Sequence, residues 1–193
     1  MSGHGFHVHG PHDHELEHAA QHEPKGFAGQ LAVITAILAT VGAIFSYLGG
    51  ATQANAALYK NDAAIKKTEA SNQWNYYQAK SSKQNLSELA LDLSTSDDQR
   101  AKYKDKIARY EKEKAEIKGQ AEALEAESRH FDELSEGQMH QHHRWAQATT
   151  VLQVSIALAA IALLTKRRWM EWATLIAGGI GCIWGGLAAA HLI

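Results

Sequence analysis

The sequence predicts an all-α membrane protein: three transmembrane helices, with a long antiparallel coiled-coil hairpin between the first and the second. Three observations predict it. Runs free of Asp, Glu, Lys and Arg occupy residues 27–50, 146–165 and 173–193. Both prolines, Pro11 and Pro24, precede the first run, so every later residue is free to be helical. The polar segment between the first two runs carries apolar residues in alternating steps of four and three.

The run from Phe27 to Gly50 exceeds the roughly 20 residues that an α-helix needs to cross about 30 Å of hydrocarbon. Residues 1–26 ahead of it contain one Lys and no Arg. A signal peptide needs a basic start and a shorter apolar core, so a retained anchor is expected. Within the run, Gly42, Ser46 and Gly50 repeat every fourth residue and predict a smooth strip for helix packing.

Residues 51–145 form the extramembrane insert. Rich in Ala, Lys, Gln and Leu, it has no strong breaker between Gly50 and Ser94, so the first span is expected to run on as helix to about Leu93. A turn is expected at Ser94–Asp98. Ser96 and Gln99 have capping-box spacing, and Asp97 and Asp98 suit the first turn of a second helix. That helix carries the seam Tyr103, Ile107, Tyr110, Ile117, Ala121, Leu124 and Phe131, with Lys114 and Ser128 as its two polar positions. The two arms, about 65 and about 73 Å long at 1.5 Å per residue, are close enough in length to fold back on each other. The seam can pack on Leu58, Ile65, Trp74, Tyr77, Leu86 and Leu89 of the first arm or on neighbouring copies; the sequence leaves both open. Trp74, Tyr76 and Tyr77 are expected to fill the space between the helices.

In the last part of the chain, Lys166, Arg167 and Arg168 open a basic turn at 166–172, flanked by Trp169 and Trp172, whose rings suit a headgroup region. Short basic loops stay cytoplasmic. The turn and the N-terminus are therefore expected inside, and the insert and the C-terminus outside, although Lys60, Lys66 and Lys67 pull the other way. In the third run, Gly181, Gly185 and Ala189 make a second small-residue strip.

Histidines supply the candidate metal chemistry. Seven fall in the first 22 residues, and His14, His18 and His22 would line one face if that tail became helical. His14-Glu15-Leu16-Glu17-His18 matches the H-E-x-x-H pattern formally, but four-residue spacings arise easily in so His-rich a tail. His140, His142 and His143 form a second cluster. Both predict adventitious affinity for Zn, Ni or Cu, and no cofactor is required. The topology puts the tail across the membrane from the second cluster.

Function classes narrow by composition. A net charge of −2, with 15 basic and 16 acidic residues in the insert, offers no basic surface for nucleic acid. Cys182 is the only cysteine, so no intramolecular disulfide forms. No nucleophile–base pair, phosphate loop or acidic pair is evident, so an enzyme is not expected. Apart from His191 at its end, no ionisable group lies within the runs, whereas transport pathways place such groups in the membrane. The reading is a self-associating scaffold or organiser whose partners are the lipid bilayer and further copies of the chain. The alternatives are an oligomeric channel lined by residues such as Thr35, Thr40, Gln153 and Ser155, and a metal-responsive protein acting through the tail.

The stretches Trp74-Asn75-Tyr76-Tyr77-Gln78-Ala79-Lys80, Ala121-Glu122-Ala123-Leu124-Glu125-Ala126-Glu127 followed by His142-His143-Arg144, and Leu164-Thr165-Lys166-Arg167-Arg168-Trp169 carry a resemblance. The chain resembles a family of uncharacterised bacterial membrane proteins with a His/Glu-rich start, one span, a long helical insert and a C-terminal pair of spans. The resemblance implies membrane residence and supplies no catalytic residue; the scaffold reading expects the chain in the bacterial inner membrane.

Overall fold

The computed structural model describes residues 26–190. Among them the chain is all helix: α1 (Phe27–Leu93), α2 (Asp97–Thr165) and α3 (Arg168–Ala189). α1 continues through Gly49 and Gly50 without a break, as the composition beyond Gly50 predicts. The basic turn is shorter than expected, because α3 begins at Arg168 and leaves only Lys166 and Arg167 between helices. Lys166 takes a left-handed backbone, φ 50°, to make so abrupt a reversal. Each helix contains a segment long and apolar enough to cross a membrane.

Between α1 and α2 lie Ser94–Ser96. The last carbonyls of a helix lack intrahelical partners, and here a side chain from the next helix supplies them: the Arg100 guanidinium donates to the Leu91 and Ser94 carbonyls at 3.1 and 3.0 Å. The positive charge also faces the negative end of the α1 dipole.

The chain divides into two compact units. One comprises Ala54–Gln138 and the other the segments on either side of it. In Ala54–Gln138, α1 and α2 run antiparallel, shown by the cross-helix pairs Lys60–Asp132, Lys66–Glu127 and Lys80–Glu113. The predicted α2 seam faces α1: Ile117 and Ala121 are buried, and Tyr103, Ile107, Tyr110, Leu124 and Phe131 are half-buried. Lys114 and Ser128 belong to the same face.

The α1 side of this contact differs from the sequence expectation. Trp74 and Tyr77 turn inward, but Leu58, Ile65, Leu86 and Leu89 are exposed. The buried positions are Ala56, Ala63, Ala70, Gln84 and Ser87. Small residues win because they let the two backbones approach. Ser128 Oγ donates to the Ala63 carbonyl at 2.9 Å, and Ser135 Oγ to the Ala56 carbonyl at 2.8 Å. A side chain as short as serine reaches the opposite main chain only when nothing larger than a methyl group intervenes.

In the other unit three helical segments pack together. α1 contributes Leu31, Thr35, Leu38, Gly42 and Gly49; α2 contributes Trp145, Ala148, Leu152, Ser155, Ala159 and Ala162; α3 contributes Met170, Thr174, Gly178, Gly181, Gly185 and Ala188. The α1 positions again alternate by four and three, the spacing that keeps a contact stripe on one side of a helix.

Candidate functional site

The residues that bear on function are those that let helices meet, and each helix places them by spacing. In α3, Gly178, Gly181 and Gly185 lie where an added Cβ would press on a side chain of another helix. A Cβ at Gly178 would meet the Leu38 side chain at 2.8 Å, one at Gly181 would meet Leu152 at 2.8 Å, and one at Gly185 would overlap the Phe45 ring. Phe45 in turn packs on Trp145, ring centroids 5.2 Å apart. Gly181 and Gly185 therefore sit in the contact, whereas Ala189 is exposed and Ala188 is buried in its place. The stripe steps by three, four and three along the helix, so it diverges from a strict four-residue strip after one repeat.

α1 behaves the same way. Gly42 is buried near Leu152, but Ser46 and Gly50 are exposed, and nothing stands within 4 Å of where a Cβ on Gly50 would lie. The neighbouring Gly49 takes the packing role: a Cβ there would lie 3.2 Å from Trp145 Cβ. Gly42 to Gly49 is a seven-residue step, which a search for small residues at four-residue intervals misses.

Polar side chains in this unit also serve helix contacts. Ser155 Oγ donates to the Thr174 carbonyl at 2.6 Å, and Gln141 Nε2 to the Ala188 carbonyl at 2.6 Å. Thr35 Oγ1 donates to the Leu31 carbonyl of its own helix at 2.8 Å and is buried. Of the four residues considered for a pore, Thr35 and Ser155 are buried in the packing of one chain; Thr40 and Gln153 are exposed, Thr40 bonding its own helix at Ala36.

The histidines divide. His14, His18 and His22 lie outside the described residues, as does His191. His142 Nδ1 stands 2.8 Å from the Gly49 carbonyl, which accepts a hydrogen bond from the ring. His143 is exposed beside it, ring centroids 5.6 Å apart, and His140 is exposed as well. Among the described residues no group of three His, Cys, Asp or Glu side chains is placed to hold a metal ion. Lys166 and Arg168 border a concavity with Phe27, Ala28 and Leu163, and all three residues of the basic turn are exposed.

In Ala54–Gln138 the contact carries charge at its margins. Lys80 Nζ meets Glu113 Oε2 at 2.6 Å and lies over the Tyr76 ring, 5.1 Å from its centroid. The hydrogen bond to Glu113 raises the Lys80 pKa above its ordinary value, and the same bond lowers that of Glu113. The bond to Asp132 likewise raises the pKa of Lys60. Trp74 Nε1 donates to Glu125 Oε1 at 2.8 Å, closing one side of an open groove of about 570 Å³ that also borders Ala70, Asn75 and Arg129.

The outer faces of the two helices differ. Residues 97–138 of α2 hold 21 charged residues, and the face turned from α1 is crowded with them. Residues 54–93 of α1 hold nine, and Leu58, Ile65, Leu86, Leu89 and Leu93 stand on its exposed side. The sequence shows these apolar residues plainly; what it does not show is that an alanine and serine seam would displace them from the intramolecular contact.

No curated protein and no solved structure matches the chain. The family described as Domain of unknown function (DUF4337) matches residues 27–191, covering all three helices and the turns between them, and the chain belongs to that family.

Proposed function

We propose that this protein is a non-enzymatic membrane scaffold that self-associates, anchored in the bacterial inner membrane by segments of α1, α2 and α3. The observation that carries the reading is the pairing of apolar, charge-free segments with an outward apolar face on α1 that the chain itself leaves uncovered. Isolated exposed apolar residues are ordinary; Leu86, Leu89 and Leu93 cluster near the turn and Leu58 and Ile65 stand on the same face further back, and such grouping supports a binding surface. The packing of Thr35 and Ser155 within a single chain favours the scaffold over a channel lined by those side chains.

In this reading Lys166, Arg167 and Arg168 face the cytoplasm and the insert faces outward, following the retention of short basic loops. Light scattering of the detergent-extracted chain tests the scaffold: a particle of more than one copy is expected, and a monomer at every concentration overturns it. Orientation has its own test. A Ser96→Cys chain in a Cys182→Ser background should react with a membrane-impermeant reagent in spheroplasts, and reaction only after permeabilisation reverses the assignment.

A further inference from the structure

We infer that the outer face of α1 between Leu58 and Leu93 is a coiled-coil seam for a second copy of this chain, paired parallel and in register. The inference rests on the reading of the protein as a self-associating membrane scaffold and identifies the surface that does the associating.

The first ground is periodicity. α1 meets α2 through one stripe with four-three spacing, and a second stripe with the same spacing occupies the opposite side. Leu58, Ile65, Leu86 and Leu93 lie on multiples of seven, with Leu89 at the alternate position, and they are 46 to 74 % exposed. The apolar residues fall in two clusters, Leu58 with Ile65 and Leu86 with Leu89 and Leu93, and the uncharged residues Thr68, Asn72, Asn75, Ala79 and Ser82 carry the same phase between them. A seven-residue phase is what a partner helix requires, because only that repeat stays in contact as two helices supercoil. Asn72 continues the phase midway, and asparagine at such a position favours the register in which it meets its own counterpart.

The second ground is charge. Residues flanking the stripe on one side are Ala57, Ala64, Ser71, Gln78 and Asn85, all uncharged, with Asp92 following only beside the turn. In a parallel in-register pair the uncharged residues face the other flank, which carries Asp62, Glu69 and Lys83, so no like charges oppose each other there. The outer face of α2, dense in Lys and Glu, offers no comparable strip.

The third ground is area. A strip about 54 Å long and about 10 Å wide removes about 1,100 Å² from two copies together, which clears the minimum of about 1,000 Å² for a specific interface and lies below the about 1,200–2,000 Å² of stable ones, so the strip adds to contacts made by the membrane segments. Direction follows from the bilayer. Copies inserted with one topology carry residues 54–93 on the same side of the bilayer, each tethered to it through the same end, which makes the parallel register the accessible one.

Cysteine cross-linking of the full chain in native membranes tests this. In a Cys182→Ser background, Ile65→Cys, Leu86→Cys and the milder Asn72→Cys each place one thiol on the stripe, and Lys118→Cys and Glu122→Cys place one on the outer face of α2. Under mild oxidation the three stripe variants should each form disulfide-linked dimers several-fold faster than the two controls. Self-linking at both Ile65→Cys and Leu86→Cys occurs only in a parallel pair, since an antiparallel pair would join one position to the other. Joining of Ile65→Cys to Leu86→Cys in mixed membranes, without self-linking, overturns the inference. So does equal or faster linking at the controls. If no stripe variant links and the extracted particle is still multimeric, the copies meet elsewhere and only this inference falls; if the particle is a single chain, the scaffold reading falls with it.

Discussion

At Gly185 an added methyl group would run into the Phe45 ring, so either the ring or the helix must shift to admit it. Gly185→Leu should destabilise the helical packing by about 1–3 kcal/mol, the usual cost of overfilling a packed contact. Gly50→Ala supplies the contrast. Its methyl group enters open space, and removing a helical glycine should leave the fold intact or stabilise it by about 0.5–1 kcal/mol. Thermal unfolding in detergent measures both, and equal effects would contradict the assignment of Gly185 to the contact. At Ser128, replacement by Ala should cost about 0.5–1.5 kcal/mol through the lost bond to the Ala63 carbonyl. Ser128→Leu should cost more, since Ala63 leaves no room opposite.

On the scale of the element, the pairing of α1 with α2 has a pH signature. Glu113 is held below its ordinary value of 4.5 by the hydrogen bond from Lys80. A lowered carboxylate contributes stability that is fully present above the unfolded value and is lost as the pH falls through the folded one. Lys80 is raised above 10.5, so its contribution is present below that value and lost as the pH climbs through the raised pKa. Helix content followed by circular dichroism should therefore be most resistant to heat between these limits, and Glu113→Gln should flatten both sides, because it removes the carboxylate that shifts Lys80 as well as its own titration.

The same scale shows what was legible in the sequence. The three helices, the turn after Leu93 and the α2 seam follow from spacing and breakers alone, because Tyr103, Ile107, Ile117 and Leu124 are large and surrounded by charge. The α1 contact was hidden. Hydrophobicity points to Leu58 and Leu86, while the helices in fact meet at Ala56, Ala63 and Ala70, where Ser128 and Ser135 supply hydrogen bonds to the backbone. Close approach rewards small size over apolar area, and a two-class pattern of polar and apolar residues does not register size. In the apolar segments a four-residue search finds Gly42, Gly181 and Gly185 and misses Gly49, for the same reason of period.

For the whole molecule, α1 has two faces with one repeat: the inner one is satisfied within the chain and the outer one is assigned to a second copy. Substitutions on the two faces should therefore have separable effects. Ala63→Leu should lower thermal stability, whereas the pair Ile65→Lys and Leu86→Lys should leave helix content nearly unchanged and reduce association. The most direct test is the mass of the detergent-extracted particle, measured by light scattering for the unaltered chain and for the Ile65→Lys/Leu86→Lys chain at matched helix content. A multimer that falls towards a single chain on the double substitution is the predicted result, and a mass that is the same for both chains contradicts it.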